Sequence, residues 1–174
     1  VYKRQIKDDG RSDFYALAIG TSDYKGKDLD LRFASKDAQD FAKALELSAN
    51  TELFPNSTIT VLSTEEGYLP PTKENIKAAF AKLKNTRPND VVVVFLAGHG
   101  VKGTKEEEGY LYVTQDGSSF ADIKDPQKQK QVTISSKELH QYLKEIPANK
   151  QVMILDTCAS GAVANDLVAK RDLS

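Results

Sequence analysis

The sequence predicts an α/β domain with a mostly parallel central sheet, on three observations. Short apolar runs suited to buried strands alternate along the chain with stretches of helical period. The strongest run, Val91 to Ala97, opens on four consecutive valines with no polar alternation, as a central strand covered on both faces requires. The 174 residues, 40% hydrophobic and 28% charged, are enough for one core without disulfides or a structural metal.

Residues 1–12 are charged throughout and lack the apolar stretch of a secretory signal; they read as a linker to a domain spanning 13–174. FYALAIG (Phe14 to Gly20) is the first strand. From Arg32 to Leu47, the residues Phe33, Ala34, Ala38, Phe41, Ala42 and Leu45 recur at spacings of three and four, which predicts an amphipathic helix packed on the sheet. STITVLS (Ser57 to Ser63) is the second strand, and Thr72 is the N-cap of a second helix presenting Ile76, Ala79, Phe80 and Leu83. After the valine strand, GYLYVT (Gly109 to Thr114) suits a short strand. The polar stretch from Gln115 to Gln131 reads as a mobile surface loop. Ser135 or Ser136 caps a third helix carrying Leu139, Tyr142 and Leu143, and QVMILD (Gln151 to Asp156) is the fourth main strand.

Composition excludes several functions. A formal charge of -1 gives no bulk attraction to nucleic acid or to an anionic membrane, and the longest apolar run is too short to span a bilayer. A single cysteine forbids an intramolecular disulfide, so a reducing, cytoplasmic setting is expected. One cysteine and two histidines do not make a zinc set.

Two strands end, at their carboxyl edge, in small-residue turns that each bear one reactive side chain: AGHG with His99 and DTCASG with Cys158. Open α/β sheets place their sites at that edge. The stretch between the two turns has room for a loop and one crossover helix, so the strands can be neighbours. A cysteine nucleophile needs its thiolate, which a nearby histidine can generate before protonating the leaving amine. The N–H groups of Gly100 and Cys158 are the oxyanion donors this arrangement offers. A lone cysteine is more often a small buried hydrophobe and a lone histidine a satisfied one, but two strand-end residues beside glycines favour a dyad. His140 falls inside a predicted helix and reads as a surface residue.

The blocks FLAGHG and ILDTCASG, preceded by ALAIGTSDY and LRFASKDAQDFAKAL, resemble the large catalytic subunit of caspase-like cysteine peptidases, in particular bacterial metacaspases or orthocaspases. The resemblance runs from about residue 13 to 165 and implies a three-layer caspase-like fold and hydrolysis through a thioester on Cys158, with His99 as base. It also matches Asp37 and Asp156 to the acidic substrate-binding residues of metacaspases, which implies substrates cleaved after Arg or Lys. The sequence departs from the metacaspase pattern at Ala159, where His is common, and at Ala97, where Ser is often found. The Q-A-C-x-G signature of caspases proper is absent.

The family also continues into a small subunit, so the groove is expected to be completed by that subunit or by a C-terminal remainder of the same precursor. Lys170 and Arg171 are candidate self-processing sites. The dyad needs no cofactor; some metacaspases use calcium, for which Asp116, Asp122, Asp125 and Asp166 are the candidate oxygen donors. Two other readings remain: a caspase-like module without turnover that serves as a scaffold, and a flavodoxin- or receiver-like binding module. GTSDYKG after the first strand lacks a phosphate-binding glycine motif, which weighs against the latter.

Overall fold

The computed structural model of the protein describes residues 10–49, 53–103 and 109–157. In chain order its elements begin with β1 (Phe14–Gly20), α1 (Ala34–Ala49), β2 (Ser57–Ser63), α2 (Lys73–Leu83) and β3 (Val91–Gly98). There follow β4 (Gly100–Lys102), β5 (Tyr110–Val113), α3 (Phe120–Lys124), α4 (Pro126–Val132), β6 (Thr133–Ser135), α5 (Ser136–Lys144) and β7 (Lys150–Thr157). The main sheet is wholly parallel, in the order β2-β1-β3-β7, and a small antiparallel sheet runs β4-β5-β6.

Alternate residues of β3 explain why its valines need no polar partners. Val92, Val94 and Leu96 join Leu17 and Ile19 under Ile76 and Phe80 of α2 and Leu139 of α5. Phe95 and Ala97 face the other way, against Ala34, Ala38 and Ala42 of α1, with Phe41 stacked on Phe95 at 4.5 Å between centroids. Helices therefore cover both faces, and β3 lies inside the sheet, as the valine run predicts. Among the described residues no helix is long and apolar enough to cross a membrane.

Two expectations need correction. Helix α1 starts at Ala34 rather than Arg32, so Phe33 precedes its first turn and is 63% exposed instead of packed on the sheet; the alanines take the buried stripe. Residues 115–131 are not a mobile loop but contain α3 and most of α4. Ser119 caps α3 by accepting from the Asp122 N–H, and Asp125 caps α4 ahead of Pro126. Ile123 and Val132 are buried against Tyr24, Leu29 and Val113, which ties both helices to the core. Ser135, rather than Ser136, caps α5, in a reciprocal pairing with Glu138.

The start of the sheet is locked by Asp90, whose side chain is 0% exposed and bonded to the Arg87 guanidinium at 3.0 Å. It also accepts from the N–H groups of Asp13 (2.9 Å) and Arg87 (2.7 Å). Burial pushes its carboxyl up, but the hydrogen bonds from Arg87 and Asp13 outweigh this and hold it below its ordinary 3.8. A lowered folded pKa means stability that is present above the ordinary value and lost as pH falls through the folded one. Asp90→Asn is expected to cost about 3 kcal/mol at pH 7. Urea titrations of this variant should also show a weaker loss of stability below pH ~4 than the wild type shows.

Candidate active site

The turn that carries His99 leaves β3 through Gly98, whose φ of 148° is one that side chains rarely adopt. A Cβ there would also come within 3.1 Å of the hydroxyls of Tyr24 and Tyr112. The His99 N–H donates to the Tyr24 hydroxyl at 3.0 Å, and burial pushes the Tyr24 phenol well up, which keeps it neutral. The His99 Nε2 lies 2.8 Å from the carbonyl oxygen of Leu29, a fully buried residue in the 3-10 turn Lys27–Leu29. A carbonyl only accepts, so Nε2 carries the proton and Nδ1 is left as the basic nitrogen. The Tyr24 ring packs against the imidazole at 5.3 Å between centroids, and Phe120, 49% exposed, meets it edge-on at 5.9 Å.

Strands β3 and β7 are paired in parallel from Val91↔Lys150 to Gly98↔Thr157. The two neighbouring strands thus end at the same level, at Gly98 and Thr157, and the residues that follow them in the sequence are His99 and Cys158. Cys158 itself lies outside the described residues, as do Asp166, Lys170 and Arg171. Gly100 pairs with Tyr112, and the adjacent bond runs from the Val113 N–H to the His99 oxygen at 2.9 Å. That makes Gly100 a non-hydrogen-bonded ladder position whose own N–H turns away from β5.

Asp156 is in register with Ala97, so it points to the same sheet face as Phe95 and Ala97, which is the face covered by α1. Asp37 is in the first turn of α1, one turn before Phe41, the residue stacked on Phe95. Asp156 is exposed and Asp37 half-buried, and among the described residues neither carboxylate has a hydrogen-bond or ion-pair partner. Next to Asp156 the α1-facing side of β7 is open, with Val152 50% and Ile154 37% exposed.

Of the expected calcium donors, Asp116, Asp122 and Asp125 are described, and each has protein partners. Asp116 holds Lys25 (3.0 Å) and the Lys73 N–H (2.9 Å), Asp122 holds Lys128 (2.7 Å), and Asp125 caps α4. No metal-binding cluster of His, Cys, Asp or Glu occurs among the described residues. His140 lies in α5, half-buried and away from the strand-end turns.

The sequence alone does not point to Leu29, Tyr24 or Phe120 as neighbours of His99. The Leu29 contact is made by a backbone oxygen, which has no residue signature. Tyr24 reaches His99 through tertiary packing, and Phe120 falls in the stretch expected to be a loop.

The family model for the caspase domain matches residues 13–172. The chain belongs to the caspase-domain family. Membership supports cysteine-peptidase-like function in general and does not favour a scaffold without turnover. A crystal structure of the protein GSU0716 from Geobacter sulfurreducens is similar at a TM-score of 0.59 and 18% identity, which shows a shared fold. The match covers 91% of this chain and 55% of that chain, so this caspase domain spans about half the length of that neighbour. No curated protein matches the chain.

Proposed function

We propose that this caspase domain is a cysteine endopeptidase that uses Cys158 as nucleophile and His99 as general base, and that it cleaves after Arg or Lys. The observation that supports the reading is the β3–β7 register: Gly98 lies opposite Thr157 at the ends of two adjacent strands, and His99 and Cys158 are the residues that follow them in the sequence. Nδ1 of His99, freed by the Leu29 contact, takes the thiol proton. The thiolate attacks the scissile carbonyl, and the oxyanion is met by the N–H groups of Gly100 and Cys158. The protonated imidazole then passes its proton to the leaving amine, and water hydrolyses the thioester.

Asp37 and Asp156, carboxylates on one side of the sheet without a hydrogen-bond or ion-pair partner among the described residues, offer a guanidinium or ammonium the charged acceptors it needs. The open face of β7 fits a C-terminal remainder or small subunit completing the groove. With such a preference, Lys170 and Arg171 become candidate sites of self-processing. Reporter peptides ending in Arg, Lys or Asp test the reading. Cleavage after Arg and Lys is expected, with none by Cys158→Ala, and about a hundredfold lower kcat/KM on Arg for Asp156→Ala. Retained turnover in Cys158→Ala would remove the nucleophile, and undiminished Arg cleavage by Asp156→Ala would remove the acidic pocket.

A further inference from the structure

We infer that Tyr110 is a positioning residue for Cys158, acting through Thr157; the inference rests on the reading of Cys158 as the nucleophile. The Tyr110 hydroxyl and Thr157 Oγ1 share a hydrogen bond of 2.7 Å. Tyr110 is fully buried on β5, and Thr157 is the last residue of β7, bonded directly to Cys158.

The same strand holds the other half of the site. Tyr112, two residues on and therefore on the same face of β5, donates its hydroxyl proton to the Ala97 carbonyl at 3.0 Å. Thr21 Oγ1 lies 2.8 Å from that hydroxyl and, with the phenol proton committed, is the donor. Ala97 stands two residues before His99, and the Val113 N–H holds the His99 oxygen at 2.9 Å. One four-residue strand thus grips both turns: Tyr112 and Val113 fix the end of β3, and Tyr110 fixes the end of β7.

Packing alone does not call for a phenol at position 110. Tyr110 sits in the apolar cluster with Leu96, Ile134 and Leu139, where a phenylalanine would fill the same space without a hydroxyl to desolvate. What the hydroxyl adds is direction. It selects one rotamer of Thr157 and so restrains the backbone that leads into Cys158, the residue whose thiol must give its proton to His99.

Tyr110→Phe and Thr157→Val remove the bond from its two ends, and Thr157→Ser keeps it. Two readouts apply: kcat and KM on an Arg reporter, and the pH dependence of iodoacetamide alkylation at Cys158, the sole cysteine. Tyr110→Phe and Thr157→Val are expected to lower kcat by about ten- to a hundredfold with KM nearly unchanged. Both should shift the alkylation midpoint towards that of an ordinary thiol, and Thr157→Ser should restore both readouts. The double variant should be no worse than the poorer single one, as two ends of one interaction require. If Tyr110→Phe fails to fold, Thr157→Val reads the same bond from its half-buried end. Wild-type kcat and alkylation profile in a folded Thr157→Val or Tyr110→Phe overturn the positioning role alone. A wild-type thiol that alkylates like a free cysteine, in a protein that cleaves no reporter, instead overturns the nucleophile on which the inference rests.

Discussion

Replacing His99 by alanine is expected to reduce kcat/KM on an Arg reporter by roughly a thousandfold or more, with little change in Tm. The size follows from what the imidazole supplies. Without it the thiol is ionised only to the extent of an ordinary cysteine near pH 8.5, and the leaving amine has no acid to protonate it. The small stability change follows from the surroundings, since the backbone bonds to Tyr24 and Val113 hold the turn without the ring. The Leu29 carbonyl would be left to water. Alkylation at Cys158 should then follow an unassisted thiol, giving a second readout independent of turnover. A loss of less than tenfold would mean that another group deprotonates Cys158, and the His99 assignment would fall.

Much of this architecture is legible in the sequence because parallel strands covered on both faces have to be apolar along their length. FYALAIG and VVVVFLA are read correctly for that reason, and β2, paired only with β1 among the described strands, is read from STITVLS. Spacing alone is a weaker guide. Phe33 fits the periodicity of α1, yet the sheet accepts only the small stripe of Ala34, Ala38 and Ala42, and the aromatic ring stays outside. Residues 115–131 show how composition misleads: Asp, Lys and Gln suggest solvent, but Ser119 and the Asp125-Pro126 pair are helix starts, and Ile123 and Val132 are their anchors. The His99 turn was visible as a strand-end glycine pair. Its support was not, because a backbone oxygen from Leu29, the Tyr24 phenol from the loop after β1 and the Tyr112 phenol from the small sheet are brought there only by folding. The Asp156 face follows from strand register, which a sequence pattern does not fix between non-adjacent segments.

A large stability loss from a single methyl group is expected at Gly20→Ala, about 3 kcal/mol. Gly20 ends β1 beneath the start of α1, and a Cβ built there would stand 2.2 Å from the Ala34 carbonyl oxygen. It would also be 2.7 Å from the Ser35 Cα and 2.8 Å from the Ala38 Cβ. Two of those three atoms are backbone, so no rotamer change relieves the overlap and the helix itself has to lift. Lifting it stretches the bond from Ser35 Oγ to the Gly20 oxygen (3.0 Å) and the Ser35–Thr64 hydroxyl contact (2.6 Å) that seat its first turn. A fall in Tm of about 6–12 °C corresponds to that cost in a domain of this size. Gly67→Ala is the matched comparison: its φ of 88° is strained for alanine, but nothing lies within 4 Å, so about 1 kcal/mol is expected. Asp37 rides on the displaced turn, so at temperatures where Gly20→Ala remains folded its KM for an Arg peptide should rise more than its kcat falls. Urea denaturation of both variants decides the first point; a Gly20→Ala protein as stable as Gly67→Ala would mean that α1 does not sit on β1 as closely as the 2.2 Å approach implies.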